Sequence, residues 1–160
     1  AIATVDTIAI MRKAILIAII SLVMAGCQQG VVFTEFKNID LPGWSEDSVL
    51  VFEGMMEDSV GDYEIQINIR HTDRYPYQNL WLFVEVAQDS IELRRDTIEA
   101  MMANARGEWY GAGFSRYTLP LQYLEQISLK QGPYQVSIQQ GMREEELRGI
   151  NEVGLKVVRL

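Results

Sequence analysis

A chain of 160 residues with 22 acidic and 14 basic side chains carries a formal charge of −8 at neutral pH, a balance that argues against a nucleic-acid partner or a polybasic membrane patch. One cysteine excludes an intramolecular disulfide, and one histidine leaves a zinc site short of ligands.

Residues 1–10, AIATVDTIAI, precede Met11 and read as translated upstream sequence outside the fold. Arg12 and Lys13 then give a positive start to an apolar run, Ala14 to Ala25, interrupted only by Ser21. Such a run is a secretory leader, since a spanning helix needs roughly twenty apolar residues and Gln28-Gln29 follow at once. Met24-Ala25-Gly26-Cys27 resembles the lipobox of bacterial lipoproteins, with Met24 where leucine is usual. The resemblance implies a diacylglyceryl group on the Cys27 thiol, cleavage before Cys27 and acylation of the new amino terminus. Each buried methylene contributes about 0.8 kcal/mol and a single chain holds only marginally, so several chains on one residue give stable attachment. The alternative is a buried free cysteine behind an ordinary signal peptide. The expected organisation is a leader over 11–26, a lipidated tether over 27–31 and a single domain over 32–160. Loss of Arg12, Lys13 and Asp6 leaves a mature charge of −9.

Within that domain the first strands are expected near 32–37 and 48–54. After the turn Val60-Gly61-Asp62, Tyr63, Ile65, Ile67 and Ile69 alternate with polar residues, the pattern of a half-buried strand. A polar, aromatic loop from Arg70 to Trp81 follows. Leu80 to Ala87, LWLFVEVA, is nearly continuous in apolar character and predicts a central strand covered on both faces. Further strands are expected near 91–99 and 109–117. Ile127 and Leu129, then Lys130-Gln131-Gly132-Pro133, then the alternating Tyr134, Val136 and Ile138, predict a hairpin. A short helix over 143–148, ended by Gly149, precedes a last strand near 153–160. Many short strands without intervening amphipathic helices predict an all-β antiparallel sandwich, immunoglobulin-like or jelly-roll-like.

No catalytic constellation emerges. His71-Thr72-Asp73 lies on the loop without a nucleophile elbow, so His71 is read as hydrogen-bonded or solvated. The carboxylates lack the glycine-punctuated spacing of a calcium loop, and Glu144-Glu145-Glu146 reads as a solvated helix face. Paired carboxylates for glycoside hydrolysis stay open, since sequence gives no distances. No metal or cofactor is expected. Aromatic residues in loops offer a binding surface instead. Tyr75 and Tyr77 flank Pro76 and are its best candidates, whereas Trp81 and Trp109 read first as core, with Trp109 kept as a possible surface member. Arg70 and Arg143 either pair with carboxylates inside the fold or face a partner.

In order along the chain come Trp44 with an acidic pair after it, Ile69-Arg70-His71, Asn79-Leu80-Trp81-Leu82-Phe83, Gly107-Glu108-Trp109, Gly132-Pro133-Tyr134, Gln140-Gly141-Met142-Arg143 and Val153-Gly154-Leu155. Together with the lipobox, this series resembles the gliding-motility lipoprotein GldH family of Bacteroidetes, from about Phe33 to Arg159. The resemblance implies a non-enzymatic envelope lipoprotein that assembles with the gliding machinery, itself linked to type IX secretion. The expected partners are the membrane, through Cys27, and envelope proteins of that machinery. The alternative is a carbohydrate- or peptide-binding lipoprotein of a nutrient-uptake system. Gln28-Gln29-Gly30-Val31-Val32 carries no acidic export signal after the cysteine, which favours the periplasmic face of the outer membrane over its surface.

Overall fold

The structure, a computed structural model, describes residues 30–160. The expected upstream segment 1–10, the expected leader 11–26 and Cys27 with its two glutamines lie outside the described residues. Among those described, nine strands run in order: β1 Val31–Asn38, β2 Trp44–Ser45, β3 Val49–Thr72, β4 Asn79–Gln88, β5 Ile91–Met101, β6 Ala112–Gly113, β7 Arg116–Gln140, β8 Glu146–Leu147 and β9 Ile150–Arg159. Val31, assigned above to the tether, is the first residue of β1.

The long strands β3 and β7 organise everything else. They pair antiparallel from Val49↔Gln139 to Thr72↔Arg116, and the register slips between Met56 and Val60. A slip of this kind bends a ribbon. Here the two halves fold over each other. Residues Tyr63–His71 of β3 take β9 on their free side, and β9 takes β1. The last residues of β7 take β4, and β4 takes β5. The result is one continuous hydrogen-bonded sheet in two layers. Contacts join the layers along both seams. The Phe33 ring of β1 meets Tyr134 of β7 at 6.0 Å, and the Tyr123 hydroxyl of β7 donates to Asp96 of β5 at 2.8 Å.

Alternation puts Tyr63, Ile65, Ile67 and Ile69 inward from the first layer, against Leu80, Leu82, Val84, Val86, Val136 and Ile138 from the second. Each large apolar side chain so buried contributes about 1.5–3 kcal/mol relative to leaving it in water. The architecture is the expected all-β sandwich, with several local differences. The expected strands at 48–54 and 63–69 are one strand, because the Val60-Gly61-Asp62 segment stays paired with Lys130, Leu129 and Ser128. No hairpin forms at 130–133: Gly132 and Pro133 pair with Met56 and Met55, and β7 runs through them. Leu80 to Ala87 is covered on one face only, since a two-layer sandwich has no third layer to cover the other. Residues 109–117 are mostly irregular, holding only the two-residue β6 and the start of β7.

The short helix expected over 143–148 is absent. Six residues are too few to repay helix nucleation. A buried Leu147 and the pairing of β8 with β2 fix this segment as extended chain instead. The Gln140 side-chain amide holds it by donating to the Glu144 carbonyl at 2.7 Å.

The two ends of the sandwich differ. At the folded-over end the Gly30 carbonyl accepts from the Arg159 amide at 2.6 Å, and the Leu160 amide donates to the Asp62 carbonyl at 3.0 Å. At the opposite end lie Asn38 paired with Glu152, His71 paired with Ile150, and the loops that carry Tyr75, Tyr77, Trp109 and Arg143. The 8 residues of β1 separate the two, a span of about 25 Å.

Candidate functional site

The loop-bearing end is organised around His71. Its ring is the next inward rung after Ile69 on β3, and it is 0% exposed. The loop residue expected from sequence is therefore a strand residue in the core. Its Nδ1–H donates to the Thr72 carbonyl at 3.2 Å, while Nε2 is buried without a hydrogen-bond partner. Tyr117 of β7 stacks on the imidazole at a centroid distance of 5.4 Å, Trp109 meets it edge-on at 4.9 Å, and Tyr75 closes a third side at 6.1 Å. Burial lowers the imidazole pKa below its usual value and outweighs the opposing pull of the Thr72 bond. The neutral ring packs among these aromatic side chains, and its hydrogen bond goes to the backbone.

The five residues proposed from sequence as one partner surface are not one surface. Tyr75 is 2% exposed, and its hydroxyl donates to the Asn79 carbonyl at 2.6 Å. Pro76 and the turn bond from the Tyr75 amide to the Thr72 carbonyl direct the loop inward, so the ring fills the end of the core. Burial pushes the Tyr75 hydroxyl pKa upward. Trp109 is half-buried against His71 and Tyr117, and Ala103 pairs with it in an isolated bridge. Arg70 lies on the outward side of β3 with its side chain 35% exposed, where it pairs with Glu152 and lies 3.8 Å over the Phe36 ring. These three make contacts within the fold and do not share one face.

Tyr77 and Arg143 remain accessible. Tyr77 is half-buried and donates to the Glu144 carboxylate, a bond that raises the phenol pKa. Arg143 is exposed and lines a cleft with Tyr77, Arg74 and Arg148. None of these three arginines has an ion-pair partner within 4.0 Å among the described residues. Three carboxylates, Glu144 to Glu146, line the same cleft, so its charge is balanced rather than cationic.

Sequence reasoning also placed Trp81 in the core, yet it is 37% exposed beside Phe83 at 46%. The strict alternation of β4, with Leu80, Leu82, Val84 and Val86 inward, was the available signal. Aromatic residues at the outward positions hid it. Similarly, His71 continues the odd-numbered inward series of β3, a period that its polar character masked. Among the described residues no group of three or more His, Cys, Asp or Glu side chains is placed to hold a metal ion.

Comparison with known proteins gives a consistent assignment. The model of the family described as GldH lipoprotein matches residues 31–157, which is nearly all of the described sandwich. The gliding motility lipoprotein GldH of Flavobacterium johnsoniae is 34% identical over 145 residues, covering 86% of this chain and 90% of that protein. A GldH homolog of Christiangramia forsetii is 35% identical over 145 residues, covering 85% and 88%. Among solved structures, the pre-peptidase C-terminal domain of a Bacillus anthracis collagenase aligns over 81% of this chain and 89% of its own with 12% identity and a TM-score of 0.38, too distant to bear on fold or function. With a family match across the sandwich and two relatives above one-third identity, the chain belongs to the GldH lipoprotein family.

Proposed function

We propose that this gliding-motility lipoprotein is a non-enzymatic assembly component, held by acyl chains on Cys27 at the periplasmic face of the outer membrane, where it joins partners of the gliding machinery and its type IX secretion link. The observation that carries the reading is the polarity of the sandwich. Gly30, three residues after Cys27, sits at one end, and the accessible Tyr77 and Arg143 sit at the other, about 25 Å away along β1. A lipid at the first end holds the second toward neighbouring envelope proteins and raises its effective concentration there without any added contact. The nutrient-uptake alternative leaned on Tyr75 together with Tyr77, and burial of Tyr75 removes half of that surface.

The test is recovery of partners from native envelopes with the full lipoprotein beside a Cys27→Ser form and an Arg143→Glu form. Motility or secretion components recovered with the acylated wild type, and lost from both variants, support the reading. Equal recovery with Cys27→Ser, or recovery of sugar-uptake proteins alone, refutes it.

A further inference from the structure

We infer that the outer face of the layer built from β4 and the end of β7 is a binding site for an uncharged saccharide chain. This goes beyond the assembly role and uses a different surface from Tyr77 and Arg143.

Along β4, Trp81 and Phe83 point outward at successive positions of one face, about 6.7 Å apart, and remain 37% and 46% exposed. Most large aromatic rings in a domain of this size are consumed by its core. Two adjacent ones left in water on a flat sheet mark a contact surface. Gly141 keeps the rings uncovered. Its amide donates to the Trp81 carbonyl at 2.7 Å, so the chain runs close beside β4, and a Cβ there would stand 3.2 Å from the Phe83 ring.

The neighbouring column on β7 decides the chemistry of the occupant. Register pairs Gln139 with Phe83 and Ser137 with Glu85, and Gln135 follows on the same face. These are an amide, a hydroxyl and an amide in a row, each with capacity left over. The Gln135 amide donates to the Ser137 hydroxyl at 3.0 Å, leaving its carbonyl and the Ser137 proton free, and the Gln139 amide donates to the Glu46 carbonyl at 2.5 Å, leaving its own carbonyl free. The Arg95 cation is taken up by two carboxylates, Glu85 at 2.6 Å and Glu92 at 2.8 Å, and Glu99 accepts from the Asn79 amide at 2.6 Å, so the face offers carboxylate acceptors and no unpaired cation among these groups.

In a chain whose mature charge is −9, a face with aromatic rings, neutral donors and acceptors, and carboxylates that outnumber their Arg95 partner is selective. A pyranose presents C–H bonds to the negative face of an aromatic ring and hydroxyls at its edge, and it carries no charge to be left unpaired. A nucleic acid or an acidic polymer would meet carboxylates and an Arg95 already paired with two of them.

The experiment titrates the full chain, in a zwitterionic sugar-free detergent, with maltohexaose, cellohexaose, mannohexaose and the N-acetylglucosamine hexamer, followed by tryptophan fluorescence and calorimetry. At least one should bind saturably. Trp81→Ala and Phe83→Ala should each weaken that binding about tenfold with unfolding midpoints unchanged, the loss of one stacking contact. Gly141→Val should also weaken it, because its side chain would crowd the Phe83 ring. No binding to any of the four, or binding equal in wild type, Trp81→Ala and Phe83→Ala, overturns the inference. So does the capture of an envelope protein through Trp81 and Phe83 without saccharide binding, which would assign the face to a protein partner.

Discussion

Buried, neutral His71 should make the stability of this fold fall as the medium acidifies, by an amount that can be isolated from everything else the chain titrates. The folded-state pKa lies below the ordinary value of 6.5 because burial disfavours the imidazolium. The groups packed on the ring are the aromatic side chains of Tyr75, Trp109 and Tyr117, and Arg70 next to it in sequence is already paired with Glu152. The unfolded chain therefore takes up the proton first. Stability from this residue is complete above pH 6.5 and is lost as the pH falls from there toward the folded pKa. The limit, for a ring that never protonates in the fold, is a loss of about 1.4 kcal/mol between pH 7.5 and 5.5. The assay is urea unfolding at several pH values for wild type and His71→Phe, which keeps an aromatic ring in the slot and removes the titration. The difference between the two curves cancels the carboxylates common to both. It should be flat above pH 7.5 and fall as the pH drops through 6.5 toward 5.5, by no more than about 1.4 kcal/mol. Trp109, at 4.9 Å, provides a fluorescence signal local to the ring. A flat difference curve, or one in which wild type gains stability on acidification, would refute the argument that the imidazole is held neutral.

Other outcomes follow from the same structure. Tyr75→Phe, which strips the donor from the Asn79 carbonyl, should cost about 1–1.5 kcal/mol in denaturant unfolding, while Tyr75→Ala should cost about 3–5 kcal/mol by opening a cavity at the end of the core. A surface tyrosine would show less than 0.5 kcal/mol for either, roughly the range of surface substitutions. Gly149 has φ +85°, and a Cβ there would collide with the backbone of Tyr75, so Gly149→Ala should destabilise by about 2–3 kcal/mol; a Tm unchanged from wild type would contradict this. Asp89 and Ser90 both have positive φ in the two-residue turn between β4 and β5, so Ser90→Gly should stabilise by about 0.5–1 kcal/mol, measured as a higher urea midpoint. Arg70→Lys should cost about 1 kcal/mol, because an ammonium cannot both lie flat on the Phe36 ring and reach Glu152; a double-mutant cycle with Glu152→Gln separates the two contributions.

Much of this protein was legible from residues alone, where the information is local. The basic start, apolar run and small residues before Cys27 define the expected leader and anchor over a short stretch, and the order of motifs from Trp44 to Leu155 identifies the family. Alternation at Tyr63–Ile69 and Tyr134–Ile138 determined which side chains face inward, because a strand's two faces are set by a period of two and need no knowledge of the neighbour. What covers each face is a non-local fact. Gly132-Pro133 has the composition of a turn, yet pairing with Met55 and Met56 carries β7 through it and lets the ribbon fold as a unit. The apolar run of β4 cannot say whether a third layer exists. The sandwich stops at two, and Trp81 and Phe83 are left in water. Conversely, His71 and Tyr75 look like loop residues until Trp109 and Tyr117, far along the chain, close over them. The sequence by itself determined the class, the inward periodicity and the family. Only the tertiary structure decided which aromatic rings became core and which became surface, because burial depends on which distant segment arrives to exclude the water.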